Sequence, residues 1–211
     1  MIGEYASNEN QDSLNLIQNF MLIQGLYLFG VFDGHGNHGH EISNNARHFI
    51  PSFIHYREIE KAMDKKRKNL NTIMNSLIVS NEMGGYRNMN IIKYLYEKFT
   101  INPQDLLLAK CNNFNEISEL LKEAFKMAQN NLINNMKTID SKESGTTVCL
   151  NILSGKYLFV ANAGDSRSLL CSYSNIKKIW TSHQLTKDHK PNEPDEQNRI
   201  ISKGGNRFGK T

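Results

Sequence analysis

Disulfide chemistry is the first thing this sequence is too poor to support. It has three cysteines, Cys111, Cys149 and Cys171, an odd number at wide spacing. They form neither a paired framework nor a C-x-x-C metal knuckle. Cys149 and Cys171 stand in apolar, strand-like runs and are expected to be small core residues. No run approaches the roughly 18 apolar residues that read as a bilayer span. The opening MIGEYASNENQDS is polar, with no basic start and no apolar stretch, so it does not read as a secretory leader. Glycine is third rather than second, so the myristoylation pattern fails as well. There is no internal repeat. These absences leave an intracellular protein, in cytoplasm or nucleus and with no membrane partner, as the expectation.

Charge of one sign is also scarce. Lys and Arg number 25 against 21 Asp and Glu, a net charge of +4. The local run Lys65-Lys66-Arg67-Lys68 reads as the solvated face of a helix. No basic strand interleaved with aromatics accompanies it, so no nucleic-acid partner is expected. With 211 residues and 39% hydrophobic content, one domain with a real core is the default, and a monomer is expected.

What is present is more informative. The apolar run from Tyr27 to Phe32 drives into Asp33, and the segment Val31 to His40 reads VFDGHGNHGH. A strand delivers a carboxylate to the rim of a sheet in this way. Gly34 lets backbone approach a ligand closely, and His35 can handle a proton near neutral pH. A carboxylate, a bare carbonyl and an imidazole within three positions suit a hard cation such as Mg²⁺ or Mn²⁺. The bland alternative is a glycine turn after a buried strand. His35, His38 and His40 could also be read as a zinc site, but their spacing is too irregular for one helix face.

The periodicity divides the chain. Phe20 to Ile23 and Tyr27 to Asp33 flank Gln24-Gly25 and read as a hairpin. His40 to Phe53 carries a helical stripe, with Pro51 as its expected end or kink. Residues 55–115 differ in character and read as an insertion, with helices expected at Lys61 to Val79 and Asn90 to Phe99. Glu116 to Met136 is an amphipathic helix. Thr146 to Leu153 and Tyr157 to Ala163 flank a Ser-Gly-Lys turn. Strands follow at Ser166 to Tyr173 and Ile176 to Trp180. Glu193 to Ser202 reads as a helix stopped by Gly204-Gly205. Strand hairpins and segregated helices imply an α+β class.

Four blocks, in order, carry a family resemblance: NQDSL at Asn10 to Leu14, FGVFDGHG, SGTTVCLNILSGKYLFVANAGDSRSLL at Ser144 to Leu170, and LTKDHKPNEPDEQNRIISKGG at Leu185 to Gly205. Together they resemble the metal-dependent protein phosphatases of type 2C, the PPM family. The resemblance covers most of residues 8–54 and 140–209. It implies an antiparallel β-sandwich flanked by helices, with the C-terminal part of the domain missing and 1–211 as a partial domain.

It also implies hydrolysis of phosphoserine and phosphothreonine in a phosphoprotein substrate, by a water activated between two Mg²⁺ or Mn²⁺ ions. By the same resemblance Asp33 bridges both ions, the Gly34 carbonyl ligates one, Asp12 holds bound water, Asp165 serves a weaker third site, and His35 is the general acid. Gln11 stands where many members carry a ligating glutamate, so a neutral and weaker ligand is implied. Ser7 stands where many carry a phosphate-gripping Arg or Lys, so no substrate-binding residue is assigned. Asp165 could equally shape a turn and pair with Arg167. Asp188 and His189 are implied to be structural. The family pattern continues past Gly205 to two further metal-binding aspartates. A catalytically inactive module that binds or regulates phosphoproteins is the alternative.

Overall fold

The computed structural model describes residues 10–64, 96–97, 101–136, 139 and 142–205. Ser7, the Lys65–Lys68 run, nearly all of the expected helix from Asn90 to Phe99, and all but the first four residues of the one from Lys61 to Val79 lie outside the described residues.

Strand β1 (Ser13–Gln18) pairs antiparallel with β2 (Leu26–Phe32), so that Ser13 faces Phe32 and Gln18 faces Tyr27. The hairpin therefore starts earlier in the chain than the apolar pattern implied. Phe20 to Leu22 is a 3-10 turn, with Asn19, Met21 and Leu22 at positive φ. Phe20 and Met21 are fully buried, so this apolar run is a plug at the end of the hairpin. The true strand hid from the hydrophobic pattern because its alternation is reversed. Leu14 and Leu16 point outward and are exposed. Ser13 and Asn15 point toward the helix behind, where Ser13 bonds Ser43 at 3.0 Å.

That helix, α1 (Gly39–Asp64), runs straight through Pro51. Proline at that position removes the N–H that would reach the carbonyl of Arg47. The Asn15 amide donates to that carbonyl instead, at 2.5 Å, which satisfies the orphaned group. The helix thus extends ten residues into the segment 55–115. Further on, a 3-10 turn (Pro103–Asp105) and the short helix α2 (Leu107–Lys110) bury Leu106 and Leu108 in the same core. Glu58 on α1, itself buried, accepts the N–H groups of Leu107 and Leu108 at 2.7 and 3.1 Å.

Helix α3 (Phe114–Asn135) starts at Asn113, whose side chain caps the Glu116 N–H at 3.2 Å. It buries Ile117, Leu120, Leu121, Ala124 and Ala128 beside α1. Then come β4 (Gly145–Thr146), β5 (Val148–Ser154) and β6 (Tyr157–Ala163). The main sheet has the order β1-β2-β5-β6, antiparallel throughout. β2 and β5 are its central strands, and Leu26, Leu28, Phe32, Leu150 and Ile152 are buried in the core that Ile50 and Ile54 of α1 share.

β7 (Leu169–Ser174) and β8 (Ile179–Gln184) form a separate hairpin. The second strand begins at Ile179 because the chain turns over residues 175–178, with Lys178 at φ 54°. Cys171, expected in the core, is exposed on β7, whereas Cys149 is buried on β5. The hairpin carries its apolar residues into the open: Leu169, Tyr173 and Trp180 are all exposed. Helix α4 (Pro194–Ser202) closes the described chain. Gly204 then turns out of the helix at φ 84°, and the Gly205 N–H reaches back to Ile200 O. Among the described residues no helix is long and apolar enough to cross a membrane.

Candidate active site

The end of β2 builds the site. Gly34 and His35 form β3 and pair with β4, Gly34 opposite Thr146 and His35 opposite Gly145. The register is that of the main sheet, where Val31 faces Cys149. The two sheets therefore share one register, and the opposed residues Asp33 and Thr147 lie in the gap between them. In that gap the Thr147 N–H donates to the Asp33 carbonyl at 2.9 Å. The Asp33 N–H donates to the Thr147 hydroxyl, Oγ1, at 3.1 Å. The two blocks VFDGHG and SGTTVC are thus neighbours 114 residues apart in sequence.

The loop after His35 is tight. Gly36 has φ 82°, and a Cβ there would lie 2.2 Å from the Glu143 carbonyl oxygen. At Gly34 a Cβ would meet the carbonyl oxygens of Gly39 and Gln11 at 2.4 and 2.5 Å. Backbone that close cannot yield to a side chain, so both positions need glycine. Buried Ser144 accepts the His38 N–H on its hydroxyl at 3.1 Å. The His35 imidazole lies over Gly145, where a Cβ would sit 2.8 Å from Nε2 and 2.9 Å from Cε1. Behind it is a cavity of about 200 Å³, lined on its apolar side by Ile42, Ala46, Phe125 and Leu132.

Asp33 is exposed at this rim, and its carboxyl is held above the ordinary carboxylate range. Partial burial is the largest cause. The negative charge of Asp12 and a side-chain hydrogen bond with it come next, then the charge of Asp165, while His35 opposes them. Carboxylates from two other sequence blocks, Asp12 and Asp165, therefore act on Asp33. Like charges brought together disfavour their own ionisation, and a cation among them reverses that. The donors are all oxygen, which suits a hard divalent ion. The residues fit such an ion in kind. Among the described residues, no three His, Cys, Asp or Glu side chains converge as a complete ligand set.

Gln11 is held by the glycine loop. Its Nε2 donates to the Gly36 carbonyl at 2.9 Å, and its backbone carbonyl accepts from the Ser43 hydroxyl at 2.6 Å. A glutamate could not donate the first of these bonds. His38 pairs with Glu41 at 3.5 Å, and His40 is exposed on the first turn of α1.

Asp165 lies between β6 and β7. Arg167, its expected partner, makes instead a two-pronged pair with Asp188 at 2.7 and 2.8 Å. Those bonds hold the Asp188 carboxyl down to about 2. Lys190 bridges the two acids, 3.2 Å from Asp188 and 3.8 Å from Asp165. His189 exchanges hydrogen bonds with Gly164: its N–H donates to the Gly164 carbonyl at 3.0 Å, and its Nδ1 accepts the Gly164 N–H at 3.3 Å. The LTKDHKP block is therefore a latch on the GDSR turn. Sequence reasoning missed Thr147, Ser144 and Ser43. Since hydroxyl residues carry no period of their own, the only available signal for Thr147 and Ser144 was their position inside a recognised block, and Ser43 lies outside all four.

A strand-borne carboxylate with imidazole beside it, at the rim of an antiparallel sheet backed by two helices, is the architecture of the PPM-type phosphatases. The fold matches the crystal structure of serine-threonine phosphatase 2C from Toxoplasma gondii with a TM-score of 0.58, at 18% identity, over 93% of this chain and 51% of that one. The family model described as protein phosphatase 2C matches residues 94–209. The chain is 32% identical over 202 residues to probable protein phosphatase 2C 75 of Oryza sativa subsp. japonica, covering 94% of this chain and 43% of the relative. It is 30% identical over 209 residues to protein phosphatase 2C 1 of Paramecium tetraurelia, covering 95% and 52%. This chain belongs to the protein phosphatase 2C family, and it spans about half the length of the relatives it matches.

Proposed function

We propose that the protein hydrolyses phosphoserine and phosphothreonine in phosphoproteins with the help of Mg²⁺ or Mn²⁺, and that the β2–β3 rim carries its acid and its metal-binding carboxylate. One observation supports this most: Asp12 and Asp165, from two distant blocks, both act on Asp33 at a rim that also holds His35.

When bound, the metal supplies charge neutralisation for the phosphoryl group and a water acidic enough to attack it. Asp33, with Asp12 beside it and the Gly34 carbonyl following, holds that cation, and Asp165 adds charge from the facing loop. His35 protonates the departing serine or threonine oxygen, whose alkoxide is too basic to leave alone. Its ring is set for this by the β3–β4 pairing and by the missing side chain at Gly145. The Gly34–Gly39 loop leaves no space for a side chain at Gly34 or Gly36, so backbone packs closely around the carboxylate.

The test is release of phosphate from a phosphothreonine peptide with Mn²⁺ and with EDTA. Turnover that needs Mn²⁺ and falls with Asp33→Asn supports the proposal. Turnover unaffected by EDTA overturns it. Peptide binding with no turnover favours an inactive, phosphoprotein-binding module, a reading to which the neutral, loop-bound Gln11 lends support.

A further inference from the structure

We propose that Thr147 is a positioning residue that sets the separation of the Asp33 and Asp165 loops, and thereby the affinity of the site for a divalent cation. The proposal rests on the metal-dependent reading given above.

In a regular antiparallel ladder, every second opposed pair exchanges N–H to carbonyl bonds in both directions. The pair Asp33 and Thr147 keeps one of these, from the Thr147 N–H to the Asp33 carbonyl. The return bond goes to a side chain, because the Asp33 N–H donates to Thr147 Oγ1. This happens where the chain passes between the two sheets, from β2 of the main sheet to β3 of the small one and from β4 of the small sheet to β5 of the main one. The hydroxyl replaces the carbonyl that has turned away. The Thr147 carbonyl accepts from the Thr146 hydroxyl at 2.9 Å.

The same oxygen has a second partner. Thr147 Oγ1 lies 2.7 Å from Ser166 Oγ, the residue next to Asp165. A hydroxyl accepts and donates at once, so Thr147 can accept from the Asp33 N–H and donate to the Ser166 hydroxyl. Its methyl group fixes the third contact. A Cβ on Gly164 would sit 2.7 Å from Thr147 Cγ2, so the turn before Asp165 closes directly on this side chain. One residue thus touches the backbone of one candidate carboxylate and both neighbours of the other. On the far side, His189 and the Asp188–Arg167 pair hold the Asp165 turn against it. Groups that orient metal ligands in this indirect way carry much of a site's affinity.

Thr147→Val keeps the shape and the methyl contact with Gly164 and removes only the hydroxyl. Thr147→Ser keeps the hydroxyl. The 211-residue protein and these variants are titrated with Mn²⁺, following free Mn²⁺ by electron paramagnetic resonance, and are melted in EDTA. Thr147→Val is expected to weaken Mn²⁺ binding by about 10–100-fold, with Thr147→Ser within about threefold of the parent. Ser166→Ala cuts only the Asp165 side and should weaken binding less than Thr147→Val does. A purely structural role would lower the melting temperature in EDTA and leave Mn²⁺ affinity alone. If the parent binds Mn²⁺ and Thr147→Val binds it equally well, the proposal fails while the functional reading stands. If the parent shows no Mn²⁺ binding that Asp33→Asn removes, the metal reading fails and takes this proposal with it. Should Thr147→Val not fold, unchanged affinity in Ser166→Ala overturns the proposal.

Discussion

Replacing His55 by glutamine should flatten the acid side of the stability curve. His55 is buried on α1, with its ring 5.7 Å from that of Tyr96 and 6.5 Å from that of Phe20. The Tyr96 hydroxyl donates to the Met21 carbonyl at 3.0 Å, so it accepts from His55 Nε2, 2.9 Å away. The ring is neutral there, because burial pushes its pKa from 6.5 down to about 3.

In the unfolded chain the ring titrates near its ordinary value, so between these two values the unfolded state holds the extra proton. Stability is then complete above about 6.5 and falls as the pH drops toward the folded value. By pH 5 the loss is about 2 kcal/mol, from about 1.4 kcal/mol per pH unit over one and a half units. For a chain of this size that is about 4–8 °C in Tm. Glutamine can still donate to Tyr96 but cannot take a proton. His55→Gln should lower stability at pH 7 by about 1–2 kcal/mol for lost ring packing, and should then lose much less than the parent between pH 7 and pH 5. Raised carboxyls such as Glu58 act with the opposite sign, but they are common to both proteins and cancel in the comparison. Scanning calorimetry at the two pH values decides it. Parallel falls in Tm for parent and variant would refute the reasoning.

Gly145→Ala places a methyl against the His35 ring and should slow phosphopeptide hydrolysis, with little effect on p-nitrophenyl phosphate, whose leaving group needs no proton; equal slowing on both would remove His35 from the acid role. His35→Gln should show the same split, losing about 10²–10⁴-fold on the peptide. Glu58→Ala leaves the buried Leu108 N–H and the half-buried Leu107 N–H without acceptors and should cost about 2–4 kcal/mol. Glu58→Gln restores one acceptor and should recover part of that, as read by urea unfolding. Ser144→Ala should destabilise the loop that carries His38 by about 1 kcal/mol, visible as faster hydrogen exchange at the His38 amide.

Much of this protein was legible in its sequence because the governing physics is local. Period-3.6 apolar spacing marked the start of α1 and the span of α3, turn residues separated β5 from β6, and Gly204-Gly205 ended α4, all near the expected positions, whereas α1 ran on to Asp64. The D-G-H block set a carboxylate, a bare carbonyl and an imidazole within three residues, and the proposed metal-assisted hydrolysis draws on all three. What failed locally did so for a stated reason. β1 buries its polar face and exposes its leucines, so the hydrophobic pattern pointed to Phe20 to Ile23 instead. Pro51 signalled a break, which the Asn15 amide repairs from another strand. Only the tertiary structure decided which blocks meet. The pairing of Asp33 with Thr147, the capture of Asp188 rather than Asp165 by Arg167, and the hold of Gln11 on Gly36 all join residues far apart in sequence. Such bonds depend on where strands end and loops return, and no periodicity along the chain encodes that distance.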